Sequence, residues 1–234
     1  MPAKNSVKTY LENGYYHIYN RGVEKRIIFQ DQQDYAVLLS YLKEYLLPKN
    51  EKELLEKLAD PQISSTERNR IIIRMKLKNF SDEIVLLAYC LMPNHFHFFV
   101  KQKNAGSIDR FMNSLCTRYT MYFNRKYKRV GPLYQGVYKA VLITSEPQFL
   151  HLSRYIHRQA LVLQESPQGQ ALRNLREKQP CSYPEYLGQR KTEWVHPEEV
   201  LSYFDQANPN LSYENFVKQS DDGQVLQKLI LEDD

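Results

Sequence analysis

Apolar and polar positions change their period several times along the chain, and each change marks an element. From Gly14 to Gly22, GYYHIYNRG, residues alternate, with Tyr15, His17 and Tyr19 on one face of a strand and Tyr16, Ile18 and Asn20 on the other. Over Asp31–Leu47 the spacing becomes helical, carried by Tyr35, Leu38, Leu39, Leu42 and Leu46, until Pro48 ends it. Two apolar runs follow, Leu86–Met92 and Phe96–Val100. They predict strands over 83–92 and 95–102, joined by a turn at Pro93-Asn94. Ile108–Tyr127 is a long amphipathic helix with a stripe of Phe111, Leu115, Tyr119 and Tyr122. After a turn at Gly131-Pro132, Leu133–Ile143 predicts a fourth strand. A further helix opens at Ser145 with Gln148 three residues on and Pro147 in its first turn. It turns Phe149, Leu152, Ile156 and Ala160 towards a core.

Two regions interrupt this series. Residues 49–81 are charged and hold two helical patterns, Leu54/Leu55/Leu58 and Ile71–Met75, separated by Pro61 and Ser64-Ser65. They read as a helical hairpin inserted between the first helix and the second strand. Beyond residue 160, a loop and a charged helix are expected over 161–180 and a short helix over Glu198–Phe204. One or two more follow within Asn208–Asp234, which ends acidic at Glu232-Asp233-Asp234. The predicted organisation is a principal domain over 1–160 and a helical extension over 161–234.

With 234 residues, 42% of them hydrophobic, the chain supports one substantial core plus appendages. No stretch approaches the ~18 apolar residues of a membrane span, and the N-terminus lacks the apolar core of a signal peptide. Cys90, Cys116 and Cys181 are widely spaced and odd in number. They argue for a reducing, cytoplasmic setting and against a disulfide framework or a cysteine zinc site. The net charge of +5 is concentrated: residues 101–160 hold eleven Lys/Arg against Asp109 and Glu146, so that segment carries +9 and the rest of the chain −4. A basic block interleaved with tyrosines suggests a polyanionic partner, most simply nucleic acid. A solvated basic face is the plainer alternative.

The candidate chemistry sits at the second turn. His95 and His97, two apart on one strand, project from one face and can grip one metal ion. His17 reaches them if its strand lies alongside, although a hydrogen-bonded structural histidine is the simpler role. On the helix after residue 145, His151, Tyr155 and Gln159 fall at i, i+4 and i+8 on one stripe. Tyr155 is a candidate nucleophile there, or a packing residue. Gln159 is a candidate third ligand through its amide oxygen. Two imidazoles and one amide oxygen leave positions open for phosphate and water and suit Mg²⁺ or Mn²⁺. Arg125, Lys126, Lys128 and Arg129 at the end of the long helix, with Arg118, exceed what the helix dipole calls for. Tyr134, Tyr138 and Lys139 offer base stacking and a phosphate contact, or a tyrosine-rich core.

Taken together, MPNHFHFFV, GPLYQGVYKAVLI and LSRYIHRQALV resemble the HUH single-stranded DNA endonucleases of the Y1 transposase class. The resemblance is closest to those associated with repetitive extragenic palindromes, relatives of the small insertion-sequence transposases. GYYHIYNRGVEKRIIFQDQQDY and CSYPEYLG extend the likeness to roughly residues 14–47 and 83–206. It implies an α+β fold with a ferredoxin-like βαββαβ core and antiparallel sheet, to which this chain adds a helical insertion and additional C-terminal helices. The elements read from periodicity agree. It also implies that His95 and His97 are the paired metal ligands, Gln159 the amide ligand and Tyr155 the single nucleophile. Gln159 followed by Ala160 departs from the palindrome-associated pattern of Asn and then proline, which leaves the subgroup open.

The implied activity is metal-dependent cleavage and rejoining of single-stranded DNA near hairpins through a 5′-phosphotyrosine. Arg154 and Arg158 flank the tyrosine and are candidates to position the backbone, while Arg125–Arg129 would hold a hairpin or the incoming strand. A catalytically inactive hairpin-binding module of the same fold is the alternative. A zinc hydrolase ranks lower, since no Asp or Glu stands at a familiar zincin spacing from either histidine. Monomers and homodimers are both compatible with the sequence.

Overall fold

The computed structural model describes residues 8–162, 180–205 and 207–219. Four strands, β1 (Tyr15–Arg21), β2 (Ile84–Met92), β3 (His95–Gln102) and β4 (Lys139–Leu142), form one sheet in the order β2-β3-β1-β4. Every neighbouring pair is antiparallel. β1 and β2 therefore run parallel with β3 between them, the split arrangement of the expected ferredoxin-like core.

Helices α1 (Gln32–Leu46) and α4 (Ser107–Lys126) cover one face of the sheet. There Tyr16, Ile18, Phe96, Phe98 and Val100 share a core with Tyr35, Leu38, Leu42, Phe111, Leu115 and Tyr119. Helix α5 (Glu146–Val162) covers the other face. Phe149, Leu152 and Ile156 pack there with Leu87, Ala88, Cys90, Met92 and Phe99. A sheet covered on both sides explains why β2 reads as an unbroken apolar run and not as an alternation. The register shifts between Leu86 and Ala88, a bulge that turns Leu87 and Ala88 to the same face. With each fully buried large apolar side chain contributing roughly 1.5–3 kcal/mol, both faces add substantially to the stability of the sheet.

The fourth strand is shorter than the expected 133–143. Residues 133–138 leave the ladder after a single bridge between Gly22 and Tyr134, and Gly136 adopts a φ of +88° that a strand cannot hold. Tyr134 and Tyr138 turn into the core, so the tyrosines considered for base stacking are packing residues.

The insertion is a helical hairpin, as expected. α2 (Glu51–Ala59) and α3 (Ser65–Lys76) are capped by Asn50 and Ser64, whose side chains accept from Glu53 N and Glu67 N. The buried Leu54 and Ile71 belong to neither sheet core. Asn79 Nδ2 donates to Leu47 O at 2.7 Å and pins the base of the hairpin shut.

After residue 179 the chain lines the outer edge of β2. Leu91 N donates to Pro180 O and Ser182 N to Tyr89 O, both at 3.0 Å. Helices α6 (Tyr183–Tyr186), α7 (Glu198–Leu201) and α8 (Tyr213–Lys218) then pack Tyr186, Val200, Tyr213 and Val217 into the core under α5. α7 is shorter than the expected Glu198–Phe204. The charged helix expected within 161–180 falls almost wholly on residues 163–179, which like the acidic tail Glu232–Asp234 lie outside the described residues.

Candidate active site

Alternation along β3 sends His95, His97 and Phe99 to the face covered by α5. The register sets His97 opposite Cys90 on one side and Tyr19 on the other, His95 opposite Met92 and Arg21, and Phe99 opposite His17. Side chains of directly opposed residues share a face, so His17, Tyr19, Arg21, His95 and His97 all project to one side of the two inner strands.

His97 is fully buried and stacks on His17, ring centroids 5.1 Å apart at 20°, with its Nδ1 2.9 Å from His17 Nε2. His17 is thus a hydrogen-bonded histidine, and the one it bonds is the site's own. Burial, then the neighbouring His17 and His95, pushes the His97 pKa well below the ordinary imidazole value, so this ring is neutral at physiological pH. In the tautomer that donates Nδ1–H to His17, the His97 Nε2 lone pair is buried with no hydrogen-bond partner among the described residues. Leaving such a buried polar atom unpaired costs about 1–3 kcal/mol. His95 is half-buried, donates its Nδ1–H to Asn94 Oδ1 at 2.6 Å, and stands edge-on to His97 at 4.9 Å.

Helix α5 delivers the tyrosine. Phe149 anchors its start, 5.0 Å from the Tyr15 ring and 5.1 Å from that of Phe99, and Leu152 and Ile156 are fully buried. Further along, His157 is fully buried between Tyr213 Oη at 2.7 Å and Ser182 Oγ at 2.8 Å. Burial depresses its pKa to about 3 and keeps it a neutral bridge to the C-terminal segment. These anchors fix the rotation of α5. The Tyr155 ring then lies edge-on to His97 at 5.4 Å and to His17 at 5.9 Å. Gln159 follows one turn later on the same stripe and is half-buried.

The structure brings His95, His97 and Tyr155 together, with Lys139 exposed on β4 opposite Tyr19. It disperses the other cations. Arg154 is only 4% exposed, with its Nη2 2.9 Å from His151 Nδ1 and its guanidinium 4.6 Å from the Phe216 ring. Arg158 Nη1 donates to Gln219 O at 3.1 Å. Arg125, Lys126, Lys128 and Arg129 end a helix on the opposite side of the sheet. Lys126 Nζ lies 2.7 Å from carboxylate oxygens of Asp31 and Asp34. Although burial works against its charge, those hydrogen bonds raise its pKa above that of a free lysine. Arg129 Nη1 donates to Asn124 Oδ1 at 3.0 Å, while Arg125 and Lys128 are exposed.

Two residues at this face escape a reading from periodicity alone. Tyr19 lies 4.8 Å from the His17 ring and 6.1 Å from that of His97, and Arg21 is opposite His95. Their even spacing from His17 puts them on its face, but their neighbours on β3 depend on a strand register that no local pattern gives. Tyr119 and Tyr122 are remote from the histidines. They lie on α4 across the sheet, donating to Ile28 O and to Asp34 Oδ1.

Among the described residues, no three His, Cys, Asp and Glu side chains are placed to hold a metal, so no carboxylate completes a zinc-hydrolase triad with His95 and His97. The neutral, orphaned Nε2 of His97, its other nitrogen held by His17, nevertheless fits a metal-ligating imidazole supported from behind. No helix among the described residues is long and apolar enough to cross a membrane.

The family described as "Transposase IS200 like" matches residues 46–159. Among solved structures, a REP-associated tyrosine transposase bound to a REP hairpin is similar at 9% identity, TM-score 0.42, covering 82% of this chain and 97% of that one. A Deinococcus radiodurans R1 protein described as a candidate transposase is similar at 16% identity, TM-score 0.28, covering 66% and 97%. No curated protein matches the chain.

Proposed function

Residues 46–159 match the IS200-like transposase family, and from that premise we propose that the chain is an HUH-type strand transferase that cuts and rejoins single-stranded DNA with Tyr155 as its nucleophile. The observation that carries this reading is the placement of the Tyr155 ring edge-on to His97 at 5.4 Å, on the sheet face that also holds His95. His95, His97 and the amide oxygen of Gln159 would hold a divalent cation, Mg²⁺ or Mn²⁺. Bound there, the cation would withdraw charge from the scissile phosphate.

The chain's own residues do the rest. Tyr155 Oη attacks phosphorus, the bond from phosphorus to the 3′ oxygen breaks, and a 5′-phosphotyrosine and a 3′-hydroxyl result. The phenolic proton must pass to a base or to water, which returns one to the leaving oxygen, because an unperturbed phenol has a pKa near ~10. The 3′ oxygen takes up a proton as it departs. Because the phosphotyrosine conserves the phosphodiester, the reverse attack by a 3′-hydroxyl reseals DNA with no further energy source. His17 orients His97, and the buried faces of α5 hold Tyr155 at a fixed rotation. Lys139 is exposed on the histidine face and available to the DNA backbone there, whereas the exposed Arg125 and Lys128 would meet DNA only beyond the site, across the sheet. The hairpin element of the substrate comes from the family resemblance.

The test mixes the protein with labelled single-stranded oligonucleotides from the DNA flanking its own gene, with Mg²⁺ or Mn²⁺, and runs a denaturing gel. A metal-dependent protein–DNA adduct is expected in wild type and in Tyr19→Phe, and none in Tyr155→Phe. An adduct lost in Tyr19→Phe and kept in Tyr155→Phe would move the nucleophile to β1. Tight binding without an adduct under either metal would favour a binding module.

A further inference from the structure

We propose that Arg21 binds a phosphodiester oxygen of the DNA strand at the histidine–tyrosine site, with Gln135 holding its guanidinium in place. The inference rests on the strand-cleavage reading above and adds a phosphate-binding residue to it. Arg21 is the last residue of β1 and lies opposite His95 in the ladder. Directly opposed residues have Cβ atoms about 4.5–5.5 Å apart on the same face, so the arginine rises beside the exposed edge of the histidine pair.

Its partner sets it apart from the cations of the fold that are paired with carboxylates. Lys101 pairs with Glu199, Arg118 with Glu44, Arg110 with Glu83 and Lys126 with Asp31 and Asp34. Arg21 Nε instead donates to the amide oxygen of Gln135 at 2.5 Å, and among the described residues no carboxylate pairs with it. A neutral acceptor orients a guanidinium without cancelling its charge. The two terminal nitrogens keep the fork geometry that suits phosphate. The strap is itself held by backbone, since Gln135 N donates to Arg21 O at 2.8 Å.

The chain around Arg21 is fixed to the β2–β3 turn. Gly22 N donates to Asn94 O and Ile28 N to Pro93 O, both at 2.8 Å. Gly22 permits this crossing: a Cβ there would lie 2.3 Å from Arg26 O, closer than any side chain allows. The turn that carries His95 and the strand end that carries Arg21 are therefore one rigid unit.

The test measures the rate of adduct formation at saturating concentrations of the same flanking oligonucleotides, beside their dissociation constants. Arg21→Met is expected to slow the adduct about 100-fold or more, the scale of a lost charge-stabilising donor, with Arg21→Lys intermediate. Gln135→Glu, at an exposed position, leaves the arginine in place but supplies a carboxylate to neutralise it. It is expected to slow the adduct at least 10-fold while DNA affinity changes less than about 3-fold. A Gln135→Glu protein that forms the adduct at the wild-type rate overturns the role of the Arg21 charge. A wild-type protein that forms no adduct overturns the strand-cleavage reading, and the role of Arg21 with it.

Discussion

At the scale of single residues, the site depends on one hydrogen bond between histidines 80 positions apart, His17 Nε2 to His97 Nδ1. It holds the His97 ring in place, and where His97 donates Nδ1–H to His17 it leaves the buried Nε2 as the free lone pair. Such supporting partners are worth about 10–100-fold in metal affinity or activity. His17→Phe should therefore raise the Mn²⁺ concentration that gives half-maximal adduct by 10- to 100-fold while leaving Tyr155 as the nucleophile. An unchanged Mn²⁺ titration would make His17 a packing residue. The His pair and the tyrosine stripe are legible in the sequence because strand and helix periods reveal which side chains share a face. The stacking of His17 on His97 and the approach of Arg21 to His95 are not, because they are properties of register, and register is settled by the whole sheet.

At the scale of elements, the basic end of α4 illustrates how charge in a sequence misleads. Asp34 is fully buried at the start of α1 and accepts from Gln30 N, Tyr122 Oη, Tyr127 Oη and Lys126 Nζ. Lys126 thus joins two helices across the first core, a use that neither its exposure nor its neighbours along the chain announce. Lys126→Met, which leaves a buried carboxylate uncompensated, should lower unfolding free energy by about 3 kcal/mol in urea titration. Lys128→Ala, at an exposed position, should instead leave stability unchanged and reduce the salt dependence of DNA binding by about one phosphate contact. β4 is the element the sequence overstates. The run LYQGVYKAVLI carries strand-forming residues throughout, but Gly136 at positive φ and the demand of the core for Tyr134 and Tyr138 restrict pairing to its last third.

At the scale of the molecule, the sheet divides the protein into a side packed by α1 and α4 and a side that bears the histidines. α1 and α4 with the first core support the strands, and α5 with the C-terminal helices closes the face that bears the histidines. The α2–α3 hairpin belongs to neither side. Its own buried contacts, Leu54 and Ile71, lie apart from both cores, and its ends are already joined where Asn79 meets Leu47. Replacing residues 50–76 with a short Gly/Ser linker should leave the adduct rate within about 3-fold of wild type and preserve cooperative unfolding. A loss of adduct in a folded deletion would assign the hairpin to DNA. The passage CSYPEYLG, noticeable in the sequence only as part of a resemblance, becomes intelligible here: it lines the outer edge of β2 and brings Ser182 to His157.

The strand order has a kinetic consequence. β2 and β3 are joined by a two-residue turn and can pair early, whereas β1 must close a loop of some eighty residues to reach β3. Contacts of such separation form late, because the entropy of closure is spent before they are rewarded. His17, Tyr19 and Arg21 all arrive with β1. Diluted from denaturant, the chain should recover much of its far-ultraviolet signal before it recovers the capacity to form a DNA adduct. The interval between the two would time the docking of a single strand.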